Sequence, residues 1–230
     1  MQDSTYAPVD VRRERLLEVC VFLFLIVPSM ILSFFITRQG MAGFVFVAVS
    51  AIFRDLALVS LVLFFVWRNG ESTRVLGWRF QHPTRDLILG LVLYLPMFFV
   101  VAVLESILSN VGFSQPQTPG PSFFQFRGQM EVALAVLLVA VVAVSEETIF
   151  RGYLFLRLRT VTGSTTVALV LAAVVFALGH GYEGSLGVVT VGIMGLIFNL
   201  VYLWTGSLIT PMVLHFIQDF IGIVLAHYLK

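Results

Sequence analysis

Charge is scarce in this chain. Only 12% of its 230 residues are Asp, Glu, Lys or Arg, about half the ~25% of an ordinary soluble domain. A single cysteine, Cys20, leaves no internal disulfide and no cysteine-rich metal cluster. No basic patch accompanies the net charge of +1, so nothing points to nucleic acid. Internal repeats, low-complexity tracts and polar linkers are missing as well. The chain is therefore expected to form one domain, 1–230. The first apolar run lacks a small-residue cleavage site, so it is expected to be a retained span rather than a removed signal.

Apolar residues fill the space that charge leaves. They make up 59% of the chain, and the mean hydropathy is +0.98. The apolar runs are continuous rather than alternating, which predicts membrane helices and not a barrel. Spans are expected over 16–36, 44–67, 87–108, 131–159, 165–178, 186–204 and 208–229. That is an all-α, polytopic bundle of about seven spans, with an eighth half-buried element after Ser109 as the alternative. Three spans and a loop fall in 1–130, and a four-helix core falls in 131–230. Pro116, Pro119 and Pro121 argue against a helix in the intervening loop. There Phe123, Phe124 and Phe126 are expected to anchor in the interface or to form a lid. The stretch 68–86 reads as a solvated loop, and Arg157 and Arg159 as the emergence of the long fourth helix into water.

Basic residues set the orientation. Arg12, Arg13, Arg15, Arg68, Arg74, Arg79, Arg85, Arg151, Arg157 and Arg159 fall on one side, against Arg38, Arg127 and Lys230 on the other. By the positive-inside rule the N-terminus is cytoplasmic. Arg54 and Asp55 are left inside the second span. Being adjacent, they point to different faces, so adjacency alone does not make them a pair. Either each fixes a neighbouring helix, or both line a wet cavity shared with Glu146.

The chemistry concentrates in a few polar residues at membrane depth. Val132 to Val144 leads into Ser145-Glu146-Glu147-Thr148-Ile149-Phe150-Arg151. A charge at a helix centre costs at least ~2.5–3.5 kcal/mol, so such groups are paired or used. Glu147 and Arg151 share a face at i,i+4. Glu146 is turned about 100° away and has no local cation. This separates a structural pair from a working acid or base. His180 lies between Gly179 and Gly181 at the end of a short span, and glycines there permit a broken helix end. His215 and Asp219 are again four apart. Counting along the spans places Glu146, His180, His215 and Asp219 roughly 10–21 Å deep, in one slab.

No serine or cysteine is in evident register with a histidine. A carboxylate beside a histidine can take a proton from water and make it a nucleophile. A second histidine with a polar neighbour can steady the developing oxyanion. Zinc held by two histidines and a glutamate is the rival chemistry, though there is no His-Glu-x-x-His helix. Inter-helix glue is the plainest alternative.

At these residues the sequence resembles the CPBP intramembrane proteases, also called the CAAX protease and bacteriocin-processing or Abi family, which includes the type II CAAX prenyl endopeptidases. Glu146, Glu147 and Arg151 match Glu-Glu-x-x-x-Arg. Phe176 and His180 match Phe-x-x-x-His. His215 and Asp219 match His-x-x-x-Asn/Asp, approached by Thr205-Gly206-Ser207-Leu208. The resemblance covers roughly 131–230. It implies a glutamate-type endopeptidase in which Glu146 and His180 activate water while His215 and Asp219 stabilise the oxyanion; no cofactor is expected, with a metal as the less favoured alternative. Many relatives carry Asn at the last position. An ionised Asp219 would repel an oxyanion, so it is either protonated or orients His215. The implied partners are membrane lipid and a peptide or protein substrate, lipidated or not. The implied location is the membrane, the plasma membrane in a bacterium. Two other functions use the same residues: a non-catalytic binding, immunity or chaperone protein, and a proton-coupled transporter. The lack of repeat symmetry disfavours the transporter.

Overall fold

The computed structural model describes residues 9–36, 43–114 and 126–228. All regular structure in these residues is helical. In chain order the helices are α1 (Val9–Ile36), α2 (Phe44–Arg68), α3 (Pro83–Asn110), α4 (Gly128–Glu146), α5 (Phe155–Thr162), α6 (Thr165–Leu178), α7 (Gly184–Thr205), α8 (Ile209–Asp219) and the single turn α9 (Ala226–Tyr228). A π-helical segment, Glu147–Leu154, joins α4 to α5, and a second, Phe220–Leu225, follows α8. Five stretches are long and apolar enough to cross a bilayer: 44–68, 83–110, 128–162, 181–205 and 209–228. With the 28-residue α1 and the shorter apolar α6, the expected total of about seven is met. The chain is an integral membrane protein.

Local chemistry sets the helix ends. Ser164 caps α6, its hydroxyl accepting from the Val167 N–H at 3.3 Å. Gly163 and Gly206 close α5 and α7 at φ 69° and 66°, a left-handed stop that a side chain would strain. Pro83 opens α3, where no N–H is needed.

Close packing in lipid depends on small residues. Along the α6–α7 seam, a Cβ on Gly195 would stand 3.1 Å from the Phe176 ring, and one on Gly192 would stand 3.4 Å from Ala177. α3 lies tighter still on α8: a Cβ on Gly90 would fall 2.6 Å from that of Val213. Outward faces carry Phe24, Phe46, Phe53, Phe99 and Trp204, all exposed as lipid-facing residues should be.

The structure revises several expectations. α1 begins at Val9, before the apolar run. The stretch after α2 does hold Arg68, Arg74, Arg79 and Arg85 exposed, but its backbone is docked. Leu76 is wholly buried. The Leu76 carbonyl accepts from the Tyr202 hydroxyl at 3.2 Å, and the Gly77 carbonyl accepts from the Leu208 N–H at 3.0 Å. Arg157 does not emerge into water. It is 2% exposed, held by Glu18 of α1 and Glu71 after α2. Both counter-charges come from distant positions, so no local pattern announces them. Phe126 is buried against Phe44 and His227, with ring centroids 5.2 and 4.2 Å away. Phe123 and Phe124 lie outside the described residues.

Candidate active site

The first motif sits where α4 becomes π-helical. A π turn bonds i to i+5, widens the helix and is common at functional sites. All eight residues of Glu147–Leu154 are buried. Within it, Arg151 Nη1 donates to Glu147 Oε1 at 2.8 Å, and both side chains are 0% exposed. The expected pair is present. The Arg151 guanidinium also lies between two rings, 4.2 Å from the Phe176 centroid and 5.0 Å from that of Phe198. Its Nη2 reaches the Gly195 carbonyl at 3.5 Å. One arginine thus ties α6 and α7 to the motif helix through stacking, a hydrogen bond and an ion pair.

His215 joins the first motif to the last. Its Nδ1 is 2.8 Å from Glu147 Oε1. Glu147 already faces a permanent cation, so its carboxylate accepts and Nδ1 carries the hydrogen. That leaves Nε2 directed at Asp219 Oδ2, 3.4 Å away, and at Glu146 Oε2, 3.8 Å away. Glu147 is therefore more than half of a structural pair: it also fixes the His215 ring. Asp219 stands where the orienting role requires it, against the same imidazole.

Glu146 differs from its neighbour in access. Its side chain is 15% exposed against 0% for Glu147, and its Oε2 has no hydrogen-bond partner. The imidazole within ion-pair distance of it is that of His215, not His180. His180 ends α6 with φ −105° and ψ 22°, the broken helix end that the flanking glycines suggested. Its Nδ1 donates to the Phe176 carbonyl at 3.1 Å. A carbonyl only accepts, so this bond fixes the tautomer and leaves the Nε2 lone pair as a base. Phe176 stands against both imidazoles, with centroids 4.9 Å from His180 and 6.1 Å from His215.

Four further residues surround this group. Tyr182 and Glu183, on the 3-10 turn that follows His180, both interact electrostatically with Glu146 and Asp219. Sequence reasoning passed over them, although a tyrosine and an acid beside an intramembrane histidine were a usable signal. On α2, Arg54 Nε donates to Asp55 Oδ1 at 2.9 Å. These neighbours do pair, because a long arginine side chain folds back across the ~100° between adjacent positions. Asp55 is 2% exposed and interacts through space with Glu146 and His215. Among the described residues, no group of three or more His, Cys, Asp or Glu side chains is placed to hold a metal ion.

No curated protein matches the chain, and no solved structure matches it. A family model does match, over the helices that carry all three motifs. Residues 128–221 match the model of a family described as type II CAAX prenyl endopeptidase Rce1-like, and in that part the chain is similar to the CAAX proteases.

Proposed function

We propose that the protein is a glutamate-type intramembrane endopeptidase that hydrolyses a peptide bond in a membrane-associated substrate, with Glu146 as general base. The observation that carries this reading is the division of labour between adjacent acids. Glu147 is occupied by Arg151 and His215, while the half-buried Glu146 keeps an unbonded oxygen facing His215 Nε2. Glu146 takes a proton from water, and the hydroxide forms a bond to the scissile carbonyl carbon. The His180 Nε2 lone pair assists by accepting a hydrogen bond from the same water. With Nδ1–H held by Glu147, a protonated His215 Nε2 donates a hydrogen bond to the oxyanion placed beside it. Glu146 then returns its proton to the leaving amine as the C–N bond breaks. Asp219 acts by holding His215, which removes the difficulty of a carboxylate in an oxyanion hole. The partners are membrane lipid and a peptide, prenylated or not, reached from the cytoplasmic side if the arginine bias sets the orientation.

Comparative mass spectrometry of membrane peptides tests the assignment in cells carrying the wild type or Glu146→Ala. At least one cleavage product should disappear in the variant while the protein level is unchanged. A variant that still makes every product would remove Glu146 from the mechanism.

A further inference from the structure

The turn between α2 and α3 carries positive charge that no neighbouring acid answers. Residues 69–82 connect two spans, so they lie at the bilayer surface, on the side that the arginine bias assigns to the cytoplasm. Arg74, Trp78, Arg79, Phe80 and Gln81 line a cavity of about 430 Å³ there, within the ~300–1,000 Å³ of small-molecule sites. No acid is among them. Arg74 and Arg79 enter no ion pair among the described residues. Glu71, the acid closest to Arg74 in sequence, is taken by Arg15 and Arg157. A third guanidinium is near, since Arg79 and Arg159 both act through space on the Tyr202 hydroxyl.

The cavity stands on a fixed floor. Leu76 is wholly buried, and its carbonyl accepts from the Tyr202 hydroxyl at 3.2 Å. The Gly77 carbonyl accepts from the N–H of Leu208 at 3.0 Å and from that of Arg79 at 2.8 Å. At Gly77, with φ 93°, a Cβ would fall 2.5 Å from the Tyr202 ring, so the backbone lies directly on α7. Arg79 reaches over the turn between α7 and α8: its Nη1 is 3.5 Å from where a Cβ on Gly206 would stand. Two guanidiniums are thus presented from docked backbone, which lowers the ordering cost of binding.

Converging guanidiniums repel one another unless an anion lies between them, and their forks match phosphate oxygens. The rim adds an apolar side. The Trp78 and Phe80 rings are 6.0 Å apart, and Phe80 is 65% exposed. Aromatic residues gather at headgroup level in membranes, and basic pockets beside cytoplasmic helix ends take anionic headgroups. A free phosphate has no use for an exposed phenylalanine, whereas a phospholipid continues past its phosphate into glycerol and methylenes.

We propose that this cavity binds the headgroup of one anionic phospholipid, with Arg74 and Arg79 on the phosphate and Trp78 and Phe80 against the glycerol and upper chain. None of these residues belongs to the three motifs, so the site stands whether or not the protein is a peptidase.

Native mass spectrometry tests it on the full-length protein, delipidated in detergent and given equal amounts of phosphatidylglycerol and phosphatidylcholine with the same chains. The wild type should retain one phosphatidylglycerol with a preference on the order of tenfold. Each arginine near a membrane surface is worth about fivefold, so Arg74→Gln combined with Arg79→Gln should bring the two lipids within about twofold. The same two positions changed to Lys should keep part of the preference. Arg68→Gln combined with Arg85→Gln removes equal charge from exposed positions outside the cavity and should leave the preference intact. Phosphatidylglycerol should also raise the melting temperature of the wild type but not of the Arg74→Gln, Arg79→Gln protein. Inorganic phosphate in large excess should not displace the lipid. Equal retention of the two lipids, or an equal loss of preference in both pairs of Gln variants, would overturn the proposal. Displacement by phosphate would do so too, by making this a site for a free anion. If the Arg74→Gln, Arg79→Gln protein does not fold, the wild-type comparison, the Lys variant and the outer pair still decide it.

Discussion

Two neighbouring carboxylates, Glu146 and Glu147, have opposite surroundings, and the difference is measurable. Glu147 is sealed in and faces two donors on one oxygen, Arg151 Nη1 and His215 Nδ1, each at 2.8 Å. Neutralising it leaves a buried guanidinium without its counter-charge, which costs about 3–5 kcal/mol. Glu147→Gln should therefore unfold at clearly lower temperature in detergent and lose activity with it. Glu146→Gln removes no ion pair with a permanent cation, so it should lose activity at nearly wild-type stability. Equal thermal stability for the two variants would contradict this division. The pair at 147 and 151 was legible in the sequence, because positions four apart meet on any helix near 3.6 residues per turn. The contact to His215 was not, since 68 positions separate it from Glu147. Sequence reasoning accordingly assigned Glu147 half its role, and gave Glu146 to His180 when the imidazole within ion-pair distance is that of His215.

At the level of helices, the site depends on two departures from the α form. Glu146 and Glu147 flank the start of one π segment, and Asp219 immediately precedes the other. Hydrophobic runs reveal where a chain crosses the bilayer but carry no mark of a widened turn, so neither π segment was foreseen. Helix contacts were partly legible. Gly187, Gly192 and Gly195 recur along the sequence of α7 as small residues, while Gly90 is the lone glycine of α3. Yet Gly90 marks the tighter seam, and that seam supports α8 with His215 and Asp219. A Cβ there would lie 2.6 Å from the Val213 Cβ and 3.0 Å from the Thr210 carbonyl, a backbone atom that cannot step aside. Gly90→Ala should cost about 1–3 kcal/mol through overpacking. It should also lower kcat by displacing His215 from Glu146. Gly192→Ala is the control: its new methyl meets Ala177 at an ordinary 3.4 Å. Helix propensity alone should then leave it as stable as wild type or stabilise it by up to ~1 kcal/mol. Matched unfolding curves for the two alanine variants would show that the α3–α8 seam is not under the constraint described.

Across the whole molecule, the N-terminal helices are joined to the motif helix by a buried charge network rather than by apolar contact alone. Arg15 binds Glu18 at 2.8 Å and Glu71 at 3.1 Å. Asn69 donates to Glu18 Oε1 at 2.6 Å, and the Tyr153 hydroxyl to Glu18 Oε2 at 3.2 Å. Arg157 closes the network, reaching Glu18 Oε2 at 3.0 Å and Glu71 through two nitrogens. α1, the end of α2 and α5 meet there, and Tyr153 carries the link into the π segment between Phe22 and Phe65. The number of helices and the three motifs were readable because hydrophobicity and motif spacing are local properties of the chain. This network was not, because each of its charges looked like an ordinary basic or acidic residue at a membrane edge. Its two arginines balance its two glutamates, so removing one cation leaves an uncompensated buried carboxylate. Arg157→Ala should cost about 3–5 kcal/mol. The exposed Arg159→Ala, two positions on, should stay within ~0.5 kcal/mol. Because Glu18 also holds Tyr153, Arg157→Ala should loosen α1 from the motif helix before the bundle melts. Limited proteolysis should then cut the α1–α2 region at temperatures where wild type and Arg159→Ala resist. If Arg157→Ala and Arg159→Ala melt together and are cut alike, the network is a surface decoration, and apolar packing alone holds the two halves in register.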